Sequence, residues 1–213
     1  MEQILSGKAV AAALKDRITA DSESLRARGV IPTLAILRVG ARGDEVSYER
    51  GAVKRMADCH IEVKSIVLPE DVDQAGLEAA FRALNDDPAV HGILVLQPLP
   101  AHLSVEPLRQ AIRPEKDSDG MSPINMAHIF AGDGKGFAPC TAEAVMVMLD
   151  HYGISLRGKR VTIVGRSMVV GRPLAMLMLA QNATPTVCHT GTADLATECR
   201  RADVIVACAG KAG

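Results

Sequence analysis

The sequence predicts an α/β protein of two domains, each a mostly parallel sheet flanked by helices. The second domain reads as Rossmann-like and C-terminally incomplete. Three observations carry this expectation. Short β-branched runs alternate with longer stretches of helical periodicity along all 213 residues. The strand-length runs are nearly continuous in apolar residues, which suits parallel sheets covered on both faces. One junction, "VTIVGRSMVVGRPLA" (161–175), has the strand–glycine–helix form of a phosphate-binding turn.

The elements follow in order. "LSGKAVAAALKDRITADSESLRARG" carries helical spacing and stops at Gly29, a glycine suited to cap a helix C-terminus. "TLAILRVG" is a strand and "SYERGAVKRM" (47–56) lies in the helix after it. "IEVKSIVL", "QAGLEAAFRALND" and "HGILVLQPLP" then read as strand, helix and a strand stopped by prolines. A short helical piece spans 124–130, before the glycine-rich "AGDGKG". The second series runs helix "TAEAVMVMLDHYG", strand "RVTIVG", helix "VVGRPLAMLMLAQN", strand "TPTVCH", helix "TADLATECRRA" and strand "VIVACAG". Strands separated by helices imply right-handed crossovers. The domains are expected to span 1–138 and 139–213, meeting near 131–142. A doubly wound nucleotide domain carries more strands than the second series supplies, hence the expectation of an incomplete end.

Composition excludes several classes. Hydrophobic residues make up 48% and charged residues 23%, and a net charge of −1 gives no electrostatic reason for a nucleic-acid or membrane partner. Aromatics are 2% with no tryptophan, so the core must be aliphatic. No apolar run approaches a membrane span, and the N-terminus lacks the form of a secretory leader. Five cysteines without a C-x-x-C pair argue against a disulfide framework or a zinc site, and favour a reducing cytosol.

At the turn after "VTIV", the glycines are Gly165 and Gly171, not the usual G-x-G-x-x-G. An ordinary strand-to-helix turn has the same pattern. Arg166 and Ser167 beside it can both hydrogen-bond phosphate. The second strand ends in "TVCHTGT" with no acid to hold a ribose 2′-hydroxyl, which favours a 2′-phosphate and hence NADP. Asp194 reads as a surface or capping residue, and His189 as a structural histidine at a strand end.

Taken together, "HGILVLQPLP", "KDSDGMSPIN", "FAPCTAEAVMVML", "GRSMVVGRPLA", "VCHTGT" and "ADVIVACAGK" resemble the bifunctional methylenetetrahydrofolate dehydrogenase/cyclohydrolase family, in that family's order and over essentially the whole chain. The resemblance implies a folate-binding N-terminal domain, a C-terminal NADP domain, an active site in the cleft between them, and a homodimer. It implies oxidation of 5,10-methylenetetrahydrofolate by NADP and hydrolysis of the methenyl product to 10-formyltetrahydrofolate. By the same resemblance Lys54 is the proton carrier, Asp119 of "KDSDG" binds the pterin nitrogens, and Ser47, Tyr48 and Gln97 contact the substrate. Gly165, Arg166, Ser167, Gly171, Thr190 and Thr141 contact the cofactor. Without the resemblance, Asp119 reads as a turn acid before Gly120, and Thr141 as the cap of the next helix.

The chain departs from the family pattern in three places. The family's S-x-x-Y-V-x-x-K sets tyrosine four residues before lysine, but Tyr48 and Lys54 are six apart. Six residues rotate by roughly 600°, placing them on different helix faces, whereas Ser47, seven before Lys54, shares its face. Arg50 occupies the position four before Lys54. Tyr48 would still reach folate if the helix began after it. The family's V-Q-L-P-L-P is here "VLQPLP", so strand alternation aims Gln97 away from the family direction unless the prolines distort the strand end. Finally, the family continues past the "GKAG" segment with further strands and a C-terminal loop that returns to the folate site. Two other readings are another two-domain NAD(P)-dependent dehydrogenase of amino-acid or shikimate type, and a folate- and NADP-binding protein without turnover.

Overall fold

A computed structural model describes residues 4–210. The chain divides into two compact units, one running from Lys8 to Pro123 and the other from Ile124 onward together with the segment up to Gly7.

The first unit is built on β1 (Thr33–Val39), which pairs in parallel with β2 (Glu62–Leu68) on one side and β3 (Gly92–Val95) on the other. β1 is buried on both faces: Ala35, Ile36 and Leu37 are fully enclosed. α1 (Gly7–Ala27) ends as expected, with Gly29 at φ 82 and the Val30 N–H bonded to the Leu25 carbonyl. α2 (Gly43–Ala57) connects β1 to β2, and α3 (Gln74–Asp86) connects β2 to β3. In α3 the spacing of Leu77, Phe81 and Leu84 sets one apolar stripe against the β1 and β3 side chains. Each of these side chains contributes roughly 1.5–3 kcal/mol by leaving water. Asp73 caps α3, accepting from the Gly76 N–H. A short α4 (Glu106–Ala111) and a 3₁₀ turn (Pro114–Lys116) follow.

The second unit repeats the plan. β4 (Arg160–Val164) lies between β5 (Thr184–Cys188) and β6 (Val204–Ala207), all parallel. α5 (Pro123–Ala131) and α6 (Cys140–His151) precede the sheet, while α7 (Gly171–Ala180) and α8 (Leu195–Arg200) make the crossovers. Its core joins Val161 and Ile163 to Leu174, Ala175 and Met178 of α7.

Three expectations need correction. The edge strands are not covered on both faces: Val67 of β2 and Ile205 of β6 are half exposed, since side chains stand out of the sheet plane and nothing packs fully over these two. β3 stops at Val95, so Leu96 and Gln97 lie beyond the strand and its alternation does not govern them. Thr141 is not the cap of α6; Pro139 holds that position and Thr141 lies inside the first turn.

Candidate active site

In each unit the central strand is flanked by neighbours reached in opposite directions, so the strand order reverses at its carboxyl end. Open α/β sheets bind ligands at such reversals. In the first unit this point is where β1 gives way to α2 and β3 to Gln97; in the second it is where β4 gives way to Gly165 and β6 to Cys208.

α2 is a regular helix from Gly43, five residues before Tyr48, so the possibility of a helix starting after the tyrosine is removed. Tyr48 therefore stands about 120° from Lys54 around the axis and is 60% exposed. Ser47 and Lys54 do share a face, both exposed, and the Lys54 ammonium makes no hydrogen bond or ion pair with another described residue. The opposite face carries Glu45 and Glu49, both buried. Glu49 takes a 2.5 Å ion pair from Arg38 of β1, and Arg38 also donates to the Gly40 carbonyl. Arg42 approaches Glu45 at 3.7 Å, bonds Asp44 at 2.7 Å, and reaches the Pro98 carbonyl at 3.4 Å. One Glu45 oxygen, Oε2, is buried without a partner. Nothing in the sequence pattern marked these carboxylates as interior, because Glu at a helix surface is the ordinary case.

Leu96 is buried and donates its N–H to the Leu37 carbonyl, while the next residue, Gln97, is exposed ahead of a cis bond to Pro98. The segment "KDSDG" runs alongside β3, with Asp117 bridged to Ile93 and the Ser118 hydroxyl donating to the Ile93 carbonyl at 2.7 Å. Asp117 is fully buried and accepts from the Met121 and Ser122 N–H groups at 2.9 and 2.8 Å. Its neighbour Lys116 donates to the Asn85 and Asp87 carbonyls; burial, and next the positive charge of Arg113, lower its pKa. The two buried charges thus fix the loop, and Asp119, half-buried, is the acid this loop presents before Gly120 (φ 60).

In the second unit, Gly165 has φ 136, and a Cβ there would meet the Cys208 Sγ at 2.7 Å. A Cβ at Gly171 would come within 2.0 Å of the Gly165 carbonyl oxygen. Both positions therefore require glycine, and together they clear backbone of side chains where a phosphate could approach. Ser167 accepts from the Val170 N–H at 3.1 Å and its carbonyl accepts from Arg172 N–H, so the turn satisfies part of the α7 N-terminus itself. That leaves less backbone for an anion than the sequence suggests and gives more of the task to Arg166, which is exposed. Arg166 lines a cavity of about 440 Å³ with Phe130, Arg172, Ala175, Met176, Val187 and His189. His189 also has a structural role, its Nδ1 accepting from the Gly191 N–H at 3.0 Å. Thr190 is exposed in the loop after β5, and Asp194 caps α8 through the Thr197 N–H. Arg172 was missed by sequence reasoning; its signal was a second cation directly after Gly171.

Two family profiles match the chain: tetrahydrofolate dehydrogenase/cyclohydrolase, catalytic domain, over residues 5–119, and the NAD(P)-binding domain of the same family over residues 139–213. The bifunctional protein FolD of Alkaliphilus oremlandii is 44% identical over 211 residues, covering 99% of this chain and 74% of that protein. FolD of Clostridioides difficile is 45% identical over 210 residues, covering 99% and 73%. Among solved structures, FolD of Campylobacter jejuni superposes with a TM-score of 0.95 at 38% identity, over 98% of this chain and 74% of that one. The Trypanosoma brucei methylenetetrahydrofolate dehydrogenase-cyclohydrolase, complexed with NADP and an inhibitor, gives 0.92 at 36% identity, over 99% and 73%. The chain belongs to the tetrahydrofolate dehydrogenase/cyclohydrolase family.

Proposed function

We propose that this chain oxidises 5,10-methylenetetrahydrofolate with NADP and hydrolyses the resulting 5,10-methenyl compound to 10-formyltetrahydrofolate. The observation that carries the reading is Lys54: exposed, on the outward face of α2 beside Ser47, and without a hydrogen bond or ion pair to another described residue.

The residues fit the cofactor. Gly165 and Gly171 open the turn, Arg166 and Ser167 would hold phosphate oxygens, and Thr190 and Thr141 would complete the contacts. NADP, when bound, accepts the hydride, and the chain's part in that step is to hold donor and acceptor in register. Asp119 accepts hydrogen bonds from the pterin N–H groups, a task suited to a carboxylate because its two oxygens can be engaged at once. Tyr48 and Gln97 line the substrate. In the hydrolytic step water adds to the methenyl carbon, and the Lys54 side chain relays the proton released. The bond from that carbon to N5 then breaks, the hydroxyl gives its proton to solvent and becomes the formyl oxygen on the N10-bound carbon, and Lys54 delivers a proton to N5.

The functional division we propose is 1–138 for folate and 139–213 for NADP, supported by the NAD(P)-binding profile beginning at 139. A homodimer working in a reducing cytosol completes the reading; the five free cysteines are in keeping with that compartment. No described helix is long and apolar enough to cross a membrane.

Lys54→Ala tests the reading. Hydrolysis of the methenyl compound, followed by its absorbance, is expected to fall below detection while folding and NADP affinity stay at wild-type values. Retained hydrolysis would sink the assignment.

A further inference from the structure

We infer that Arg38 and Glu49 form a positioning pair that sets the rotation of α2 about its own axis, and through it the direction in which Lys54 points. The inference rests on the reading of Lys54 as the proton carrier.

It starts from what holds α2 in place. The buried residues of this helix are Glu45 and Glu49. Its larger apolar side chains, Val46, Val53 and Met56, are half-buried or exposed. α3, by contrast, is seated by a stripe of Leu77, Phe81 and Leu84. Apolar packing of small, partly exposed side chains is non-directional and lets a helix roll. A buried ion pair does not, because its hydrogen bonds need fixed geometry.

The Arg38–Glu49 pair has that geometry. Its side chains are 13% and 11% exposed, and the guanidinium is itself anchored on the Gly40 carbonyl. Arg38 belongs to β1, the most enclosed strand of the unit, so the pair ties α2 to a rigid support. Glu45, one turn earlier on the same face, is approached by Arg42, which also reaches the Pro98 carbonyl next to Gln97. Arg42 caps α2 itself, so the tie from this face to another element is the Arg38–Glu49 pair, assisted at the helix start by the Arg42 contact with the Pro98 carbonyl.

Lys54 follows Glu49 by five residues, which places it roughly 140° away around the axis. With side chains reaching about 5–6 Å from the axis, a roll of about 20° would carry the outer part of the Lys54 side chain by about 2 Å. A misplacement near 1 Å can cost about 100-fold in a proton-transfer or positioning step. The pair therefore acts on catalysis without touching substrate: removing it turns the face of α2 that carries Lys54, and Ser47 and Tyr48 turn with it, while Asp119 and the cofactor turn stay in place.

The test separates positioning from mere stability. Replacing a buried ion pair by apolar residues of similar volume commonly leaves stability unchanged or raised. The double variant Arg38→Met with Glu49→Leu is therefore expected to melt at or above the wild-type temperature. Its cyclohydrolase kcat is expected to fall at least about 10-fold, by a larger factor than KM for the methenyl substrate rises. Glu49→Gln, of the same size and without the charge, serves should the double variant fail to fold, with the same kcat and KM expectation. Wild-type kcat in either folded variant overturns the inference, as does a rise in KM with kcat unchanged. Lys54→Ala is run alongside. If it stays active, the reading of Lys54 has failed; if it is inactive while the pair variants keep wild-type kcat, only the positioning role has failed.

Discussion

His60 closes α2 in a left-handed backbone conformation, φ 58, with the Ile61 N–H returning to the Met56 carbonyl. This is the position where helices prefer glycine, since a Cβ there crowds the following carbonyl at a cost of about 1–2 kcal/mol. The His60 side chain gives little back: its 3.3 Å contact with Glu23 is half exposed on both sides, and such pairs contribute little. Replacing His60 by glycine is expected to stabilise the protein by about 1 kcal/mol, read as a higher urea midpoint. An unchanged or lower midpoint would mean that the flexibility gained by the unfolded chain cancels the relief. Asn182, at φ 62, uses the same conformation with a residue that tolerates it. At this scale the sequence was informative wherever one side chain suffices. Gly29 read correctly as a helix end, and Asp194 as a cap. It was silent on Asp117, because the same "DSDG" string describes an exposed turn or a buried carboxylate bonded to Met121 and Ser122.

Among the elements, the turn from β4 into α7 is the most constrained. The Gly171 position lies against the Gly165 carbonyl, with both atoms belonging to backbone that cannot rotate away. Gly171→Ala is expected to destabilise the second unit by at least about 1–3 kcal/mol, as overpacking does. It should weaken NADP binding at least tenfold by pushing the turn open, measured by titrating cofactor fluorescence. Binding at wild-type strength would show that the turn can shift without loss. Strong periodicity made most elements legible: α3 runs over the span its pattern indicates, and β1, β4 and β5 begin and end within a residue or two of expectation. Two features stayed hidden for physical reasons. α4 is six residues with a proline in its first turn, too short for a period to register. β3 is cut short at Val95 where Leu96 turns inward to bond the Leu37 carbonyl, an interaction between strands that no local pattern encodes.

For the molecule as a whole, two sheets of the same plan each have one central strand and two edges, and burial is concentrated on the central strands β1 and β4. The parallel sheets, their strand content and the two-domain plan were legible because alternating strands and helices leave few topologies open. The inward face of α2 was not, since its meaning comes from Arg38 on a different element. That face has a consequence for the order in which the molecule opens. A helix seated by two carboxylates is held in one orientation but loses little apolar contact when it lifts away, whereas α3 cannot leave without exposing Leu77, Phe81 and Leu84. In native-state hydrogen exchange, the amides of α2 are therefore expected to exchange through a local opening, well below the free energy of global unfolding. Those of α3 should exchange only with the whole unit. Equal protection in both helices would contradict this. The segment proposed to aim Lys54 then detaches before α3, fixed in direction yet lightly held.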